Sequence, residues 1–400
     1  MFKQLRTYNI NTKNIYNWYY IRICMKTQLI FKGIFVFIFF LLSQTIFASN
    51  LFPIEKKGKW GYMDESGKMI IDFKFDIAGE FNEGYATVAL NRMPCVIDEN
   101  ENRIIDTGLY QFIGNFSEGL VSVMDYKFKR YYLNNQSKIV IKLTDEIYDA
   151  GTFHNGLARV GKKIDIHQNK FGFDISNLGY VFTYIKKDGT YLTDFIFDDA
   201  DDFIEPVARV MQGKKFGLIN LSGKFLIEPR YSNMSVFNEG LAVVDYLGSY
   251  GYIDTNGVEI IKPQFEYAKA FSNGMAAVSV KGKFGFIDTE GKLTIPAKFD
   301  DVRPFAEGRA AVLEMNKWAF VDEKGNYIYQ PYFEEASYFN EGLCPVKLKG
   351  KWGAIDKQGH ILVPFQFEYV GIFENGVAEV VYRGINLNVD LRGNVLPRLN

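Results

Sequence analysis

Apolar and polar positions alternate in a pattern that repeats along most of the chain, and residues 274–305 carry its clearest copy. The apolar run Met275–Val280 predicts a first β-strand. Lys281 and Gly282 then predict a tight hairpin turn, because glycine adopts positive φ at little steric cost. The alternating segment Lys283–Asp288 predicts a second strand that runs back along the first.

A second turn and a third strand complete this unit. Asp288 opens the turn and Gly291 closes it, which is typical of a type I turn. The third strand is predicted over Lys292–Ile295 and should end at Pro296, because proline has no N–H to give to a β-ladder. A longer connector, Ala297–Glu307, leads to the next unit.

Both faces of the second strand are apolar or small. Phe284 and Phe286 share one face, while Gly285 and Ile287 share the other, so we expect the strand to be covered on both sides. We also expect Gly285 to let a neighbouring aromatic ring lie close to the backbone. A ligand contact at this aromatic-Gly pair is the alternative, but a pair that recurs so often is more simply explained as core.

The pair recurs at a fixed period of about 34 residues, which predicts a repeat architecture. The second-strand copies begin at Trp60, Cys95, Tyr131, Thr183, Phe216, Tyr250, Phe284, Trp318, Trp352 and Leu387. The chain therefore contains about ten units, of which the copies at Tyr131 and Thr183 depart most from the pattern.

A second phrase, Phe-x-x-Gly, recurs in the connectors. Its copies begin at Phe81, Phe116, Phe153, Phe237, Phe271, Phe305, Phe339 and Phe373. A phenylalanine followed by two polar residues and glycine predicts a turn that pins the connector to the sheet. The Glu or Asn within the phrase is an alternative ligand residue, but turn chemistry explains it better.

With these residues the chain resembles the WG-repeat (KWG-repeat) proteins, a mostly bacterial family. The resemblance rests on Lys59-Trp60-Gly61, Lys351-Trp352-Gly353 and the Phe-x-x-Gly phrases, and it covers the chain from about Leu51 to the C-terminus. It implies a β-repeat scaffold and says little about activity.

The predicted fold is all-β: a tandem repeat array of about ten three-stranded meander units, each of about 34 residues. An open solenoid or superhelix is favoured over a closed β-propeller. Propeller blades usually have four strands, for which a unit of this length is short, and rings usually have four to eight blades, fewer than ten. In an open array each unit packs only on its neighbours.

Residues 1–48 differ from the rest, because they contain six basic and no acidic residues. The apolar run Gly33–Leu42 is followed by small and polar residues, which is the pattern of a secretory signal peptide. We expect cleavage after Ala48, with an uncleaved anchor as the alternative. Residues 1–24 are unusual for a signal, so we expect translation to start at Met25 and the signal proper to span 25–48.

The repeat array is predicted over residues 49–400, with an insertion near 161–180. The spacing between the copies at Tyr131 and Thr183 exceeds the usual period by about 18 residues, which predicts an elongated hairpin or a surface loop. Two cysteines remain after signal cleavage, Cys95 and Cys344, and we expect both to be buried as small apolar residues rather than joined in a disulfide.

Composition excludes some functions. Residues 1–48 hold six of the 46 basic residues and none of the 47 acidic ones, so the remainder carries a net charge of −7. Such a charge argues against a nucleic-acid partner. The three histidines, His154, His167 and His360, are scattered and lack metal-ligand spacing. Carboxylate pairs such as Asp300-Asp301 and Glu334-Glu335 suit solvated connectors better than acid–base catalysis. We therefore assign no catalytic, cofactor-binding or metal-binding residue.

The sequence thus predicts a secreted, periplasmic or cell-surface scaffold that is not an enzyme and that binds a protein partner. No cofactor and, once the signal has been removed, no membrane contact are expected. The alternative is a carbohydrate or cell-wall binder whose exposed tyrosines stack on sugars. The tyrosines at variable repeat positions are Tyr246, Tyr267, Tyr338 and Tyr369.

Overall fold

The structure is a computed structural model that describes residues 51–164 and 179–396. All of these residues lie in one compact unit, residues 49–400. They form ten antiparallel sheets, and within each sheet the strands pair in chain order as a meander. The prediction of an all-β array of small repeated sheets is therefore confirmed. Among the described residues there is no helix long and apolar enough to cross a membrane.

The first four sheets contain the following strands. Sheet 1 has β1 (Phe52–Lys56), β2 (Lys59–Met63) and β3 (Met69–Phe75). Sheet 2 has β4 (Ile77–Ala78), β5 (Tyr85–Leu90), β6 (Met93–Asp98) and β7 (Arg103–Ile105). Sheet 3 has β8 (Phe112–Ile113), β9 (Leu120–Met124), β10 (Arg130–Asn134) and β11 (Ile139–Lys142). Sheet 4 has β12 (Ile147–Ala150), β13 (Leu157–Ile164) and β14 (Gly179–Lys186).

The next three sheets share one four-stranded layout. Sheet 5 has β15 (Asp199–Ala200), β16 (Val207–Gln212), β17 (Lys215–Asn220) and β18 (Phe225–Tyr231). Sheet 6 has β19 (Asn233–Met234), β20 (Leu241–Tyr246), β21 (Ser249–Asp254) and β22 (Glu259–Phe265). Sheet 7 has β23 (Tyr267–Ala268), β24 (Ala276–Val280), β25 (Lys283–Ile287) and β26 (Leu293–Phe299).

The last three sheets continue the series. Sheet 8 has β27 (Asp301–Val302), β28 (Ala310–Glu314), β29 (Lys317–Val321) and β30 (Tyr327–Phe333). Sheet 9 has β31 (Glu335–Ala336), β32 (Leu343–Leu348), β33 (Lys351–Asp356) and β34 (Ile361–Phe367). Sheet 10 has β35 (Tyr369–Val370), β36 (Val377–Tyr382) and β37 (Ile385–Asp390).

The ten predicted units correspond to the ten sheets, but the prediction of three strands per unit was wrong. In the described part of the chain, seven sheets have four strands. The additional strand lies at one edge and precedes the first predicted strand; we call these strands, β4, β8, β12, β15, β19, β23, β27, β31 and β35, the edge strands. Most are only two residues long, too short for their alternation to be recognised in the sequence.

The third strand also runs further than predicted. Pro296 does not end it, because β26 extends to Phe299. Phe286 pairs with Ile295 and Phe284 pairs with Phe299, so several residues of β26 lie opposite the single residue Gly285. Pro296 stands inside this bulge, where the ladder requires no N–H.

The bulge also explains Gly285, for which the expectation of a neighbouring aromatic ring was wrong. A Cβ atom at this position would lie 2.5 Å from the carbonyl oxygen of Ile295 and 2.7 Å from the backbone nitrogen of Ala297. The glycine therefore admits the backbone of the third strand of its own sheet. The second strand is covered on both faces as predicted, since Phe286 and Ile287 are fully buried.

Each hydrophobic core lies between two consecutive sheets. Phe286 and Phe299 of sheet 7, for example, share a core with Val302, Phe305 and Val312 of sheet 8. The extensive contacts between strands occur within a sheet or between sheets that are consecutive in the chain. Within the described residues the sheets are not closed into a barrel or a propeller, which confirms the preference for an open array.

The insertion forms a long hairpin where the structure describes it. Strands β13 and β14 pair along their whole length, from Leu157 opposite Lys186 to Ile164 opposite Gly179. Residues 165–178, which contain most of the predicted insertion, lie outside the described residues. Cys95 and Cys344 are both buried and unpaired, as predicted.

Candidate binding surface

The Phe-x-x-Gly phrases form tight turns with an unusual backbone. In the copy at Phe237, Glu239 has φ of 51° and Gly240 has φ of 79°. The flanking residues Asn238 and Leu241 exchange two backbone hydrogen bonds, of 2.9 and 3.0 Å. Two consecutive residues with positive φ define a type I′ turn. Glutamate is uncommon in such a conformation, and here its side chain makes an interaction of its own.

That interaction reaches the next unit. The Glu239 carboxylate accepts hydrogen bonds from the N–H groups of Asn273, at 2.7 Å, and Gly274, at 2.9 Å. We call this series of bonds the turn ladder. Its other members join Glu83 to Glu118 and Gly119, Glu118 to Gly156, Asn273 to Gly308, Glu307 to Gly342, and Glu341 to Gly376. The prediction that these residues serve turns is confirmed, and they also connect the units.

Electrostatics support the ladder at Glu118. Partial burial alone would raise the pKa of its carboxyl group. Hydrogen bonds from the Lys187 ammonium group, at 3.0 Å, and from the N–H of Gly156 outweigh this effect and hold the pKa of Glu118 below its ordinary value. The group is therefore a carboxylate at neutral pH, as its acceptor role requires.

A second set of contacts, which we call cation clips, closes the outer edge of several edge strands. In each clip a cationic side chain donates to the last carbonyl of the next unit's edge strand. The pairs are Arg159 with Ala200, Arg209 with Met234, Lys269 with Val302, and Arg303 with Ala336. Such carbonyls face no neighbouring strand, so the clips satisfy groups that would otherwise be left unpaired.

Each clip also rests on the aromatic ring that begins the WG motif. The Arg303 guanidinium lies 4.5 Å from the centre of the Trp318 ring, and the Lys269 ammonium lies 5.5 Å from that of Phe284. Arg159 and Arg209 stand over Phe182 and Phe216 in the same way. The motif's aromatic residue thus lies under a cation that reaches the next unit; Trp318 is buried, while Phe182, Phe216 and Phe284 are half-buried.

One edge-strand position recurs in sheets 2 to 10 and is exposed in seven of these nine sheets. In the other two its aspartate pairs with clip cations, Asp149 with Arg159 and Asp301 with Lys269 and Arg303. The position is the penultimate residue of each edge strand, and we call the set the edge column. Its members are Ile77, Phe112, Asp149, Asp199, Asn233, Tyr267, Asp301, Glu335 and Tyr369. Asp149 and Asp301 are half-buried and the others are exposed. The residue that follows each member is always apolar and packs toward the core, so position is constant while chemistry varies from unit to unit.

The two tyrosines of the edge column extend it over the WG-motif aromatics. The Tyr267 ring lies 5.4 Å from that of Tyr250 and 6.1 Å from that of Phe284, centre to centre. The Tyr369 ring lies 6.3 Å from that of Trp352. The column therefore lies beside motif aromatics at two places in the array, and we take the column as the candidate binding surface.

The other candidates from the sequence lie apart from one another. All four tyrosines at variable positions are exposed by between 42% and 48%, but only Tyr267 and Tyr369 belong to the edge column. Asp300 pairs with Lys283, and Glu334 accepts a hydrogen bond from the N–H of Gly350.

The histidines are equally separate. The Nδ1 atom of His360 lies 2.9 Å from the Asp356 carboxylate, and the backbone of His154 closes a turn with Leu157. His167 lies outside the described residues. In the part of the chain that the structure describes, no group of three or more histidine, cysteine, aspartate or glutamate side chains is arranged to hold a metal ion.

Seven segments of the chain match the model of the WG containing repeat. The matched residues are 60–92, 182–216, 216–246, 250–284, 284–318, 318–352 and 352–384. The chain belongs to this family. The unmatched interval between them contains the divergent copy at Tyr131 and the insertion. No curated protein matches the chain.

Solved structures give looser likenesses. A structure titled as the eukaryotic initiation factor is similar with a TM-score of 0.41 and 10% identity, covering 79% of this chain and 96% of that one. BamB from Moraxella catarrhalis is similar with a TM-score of 0.31 and 11% identity, covering 72% and 84%. Likenesses at this level carry no functional information for a WG-repeat chain.

Proposed function

We propose that this WG-repeat protein is a non-catalytic scaffold that binds a protein partner along the edge column. The proposal rests on a difference between repeated positions: some hold the units together, and others are exposed and vary. The ladder glutamates and the clip cations bind neighbouring units, and the motif aromatics lie under the clip cations. Seven of the nine members of the edge column combine a constant, exposed place with side chains that differ from unit to unit, which is how a repeat array presents a specific surface.

We further propose that the scaffold works outside the cytoplasm. The basic segment and the apolar run of residues 1–48 support export, although they lie outside the described residues. N-terminal sequencing of the precursor and of the exported protein tests this. We expect a precursor that begins at Met25 and a mature chain that begins at Ser49. Retention of Gly33–Leu42 in the exported protein would indicate an uncleaved anchor.

Site-specific photo-crosslinking in the producing cell tests the partner. A photoreactive phenylalanine analogue replaces Tyr267, Glu335 or Tyr369 in the edge column. The matched controls carry it at Lys292 or Lys324, which are exposed in turns between the second and third strands. We expect one protein adduct common to the three column positions and missing from the two controls. Equal labelling at all five positions would reject the edge column as the binding surface.

Carbohydrate binding is the second candidate, favoured by the exposed pair Tyr267 and Tyr369 beside the motif aromatics. Aromatic rings offer faces on which sugars stack. A glycan array separates the two functions. Binding to a defined glycan that is lost on Tyr267→Ala together with Tyr369→Ala would favour this candidate over a protein partner.

A further inference from the structure

The seam between sheets 8 and 9 contains a cavity of about 470 Å³. It opens between the third strands of the two sheets, β30 and β34. Its volume lies in the range of ligand pockets, about 300–1,000 Å³. The edge column does not contribute to it, so it is a separate feature of the molecule.

Its lining is uncharged and rich in aromatic residues. It includes Tyr329, Gln330, Tyr332, Phe333, Ile361 and Phe365. The ring centres of Tyr329 and Tyr332 lie 5.3 and 5.4 Å from that of Phe333, and Phe365 lies 6.4 Å from Phe333. Two further cavities, one near Arg130 and one near Arg209, are lined by both acidic and basic side chains. A ligand for the seam between sheets 8 and 9 should therefore be uncharged.

Beside the cavity, sheet 8 departs from the repeat at the centre of its third strand. In sheets 5, 6 and 7 this place is held by Ile227, Ile261 and Ile295, which fit against a turn glycine of the next sheet. In sheet 8 it is held by Tyr329. A Cβ atom on the corresponding glycine, Gly359, would lie 2.0 Å from the tyrosine ring, so the ring is packed directly on that backbone.

A second difference lies in the next-to-last residue of the third strand, which is Gln264 in sheet 6 and Gln366 in sheet 9. In sheets 1, 5 and 7 a cation stands over the ring that follows it: Lys74 over Phe75, Arg230 over Tyr231, and Lys298 over Phe299. At the same place sheet 8 has Tyr332, whose side chain is half exposed. Two substitutions of the repeat pattern thus converge on one pocket, and places where a local rule is broken without structural need are candidates for function.

We propose that this pocket, defined by Tyr329, Tyr332, Phe333 and Phe365, receives an uncharged aromatic side chain of the protein partner. The inference rests on the proposed function and names the chemistry of one contact. Large rings in apolar pockets supply much of the binding energy of protein interfaces, and tryptophan and tyrosine are enriched among such anchors. The phenol groups and the Gln330 amide can meet the N–H or O–H of such a ring.

The test uses N-acetyl-tryptophanamide as the probe and the methyl resonances of Ile328 and Ile361 as reporters. We expect a saturable shift of both signals, with Kd on the order of 1 mM for a single side chain. Tyr329→Ile restores the isoleucine of sheets 5 to 7, and Tyr332→Lys restores the cation of sheets 1 and 7. Each should weaken binding at least tenfold while the protein stays folded. Tyr338→Ile removes an exposed tyrosine elsewhere and should leave binding unchanged.

Several outcomes would overturn the proposal. No shift at millimolar probe would do so, as would equal binding by the Tyr329→Ile variant. Saturable binding of methyl glucoside at lower concentration than the probe would assign the pocket to a sugar. The crosslinking experiment at the edge column does not involve this pocket. If the probe does not bind the pocket, the proposed function therefore still stands. If the crosslinking finds no partner, binding of the probe to the pocket can still be measured.

Discussion

The carboxylate of Glu239 accepts a hydrogen bond of 2.9 Å from the backbone N–H of Gly274, 35 residues later in the chain. The bond joins two turns with the same sequence pattern in consecutive units. It turns a residue in an unfavourable backbone conformation into a connector. Through such bonds the turn motif of one unit also holds the next unit in place.

Removing this carboxylate should weaken the junction between sheets 6 and 7. We expect Glu239→Ala to lower the urea midpoint by the equivalent of about 1 kcal/mol or less, because the lost hydrogen bonds are solvent-exposed. Glu239→Asn should recover part of the loss, since Asn273 performs the same role in the next unit. Glu290→Ala, at an exposed turn, is the control and should leave the midpoint unchanged. A midpoint equal to that of the parent in Glu239→Ala would show that the turn ladder does not stabilise the array.

A larger residue at position 285 should push the third strand, β26, away from β25. We expect Gly285→Val to destabilise the protein by about 1–3 kcal/mol, as overpacking does, because the new atoms meet the backbone of Ile295 and Ala297. Gly285→Ala should cost less, since sheet 8 accommodates Ala319 at the equivalent place. Chemical unfolding of the two variants beside the parent gives the comparison. An unchanged midpoint in the valine variant would mean that this face of the strand is open.

The turns between second and third strands should make stability depend on acid pH. Hydrogen bonds from Ser66, Thr190 and Asn394 side chains lower the pKa of Asp64, Asp188 and Asp390 respectively. Since unfolded aspartate titrates at about pH 3.9, their contribution is present above that pH and is lost as pH falls through the lower folded pKa.

The chain supplies its own control for this effect. Asn220 already occupies the same turn position in sheet 5, where its side-chain oxygen accepts hydrogen bonds from the backbone N–H groups of Ser222 and Lys224. The triple variant Asp64→Asn, Asp188→Asn, Asp390→Asn should therefore keep the turns without the titration. We expect its urea midpoint to fall less than that of the parent between pH 5 and pH 3. Parallel curves for the two proteins would contradict the assignment.

The elements predicted correctly are those encoded locally. Alternation and turn glycines place the long strands, as in β24 and β25, because these signals act over a few residues. The edge strands are too short for such a signal. Pro296 was misread because the bulge that tolerates it is a relation between two strands. A proline stops a regular ladder but not a bulged one.

The contacts between units required the structure. The Glu of the Phe-x-x-Gly phrase recurs often enough to signal a role, yet nothing local shows that its partner is a backbone N–H in the next unit. Tyr329 and Tyr332 likewise stand out when the repeats are aligned, since sheets 1, 5, 6, 7 and 9 have isoleucine or valine at the first place and a cation or glutamine at the second. Only the packing of sheets 8 and 9 shows that the two departures line one cavity.

The chain is an open array, in which each unit should depend only on its neighbours. Deleting one period, Gly274–Glu307, tests this most directly, because the seam recreates a Phe-x-x-Gly turn from Phe271 to Gly308 and offers Glu239 the N–H of Gly308 in place of Gly274. Circular dichroism and chemical unfolding of this variant, beside the parent, are the measurement. An open array should yield a soluble, β-rich protein that unfolds in a cooperative transition. Its circular dichroism signal and its free energy of unfolding should be lower by about the contribution of one unit. Aggregation or loss of the transition, despite a native-like seam, would contradict the open array.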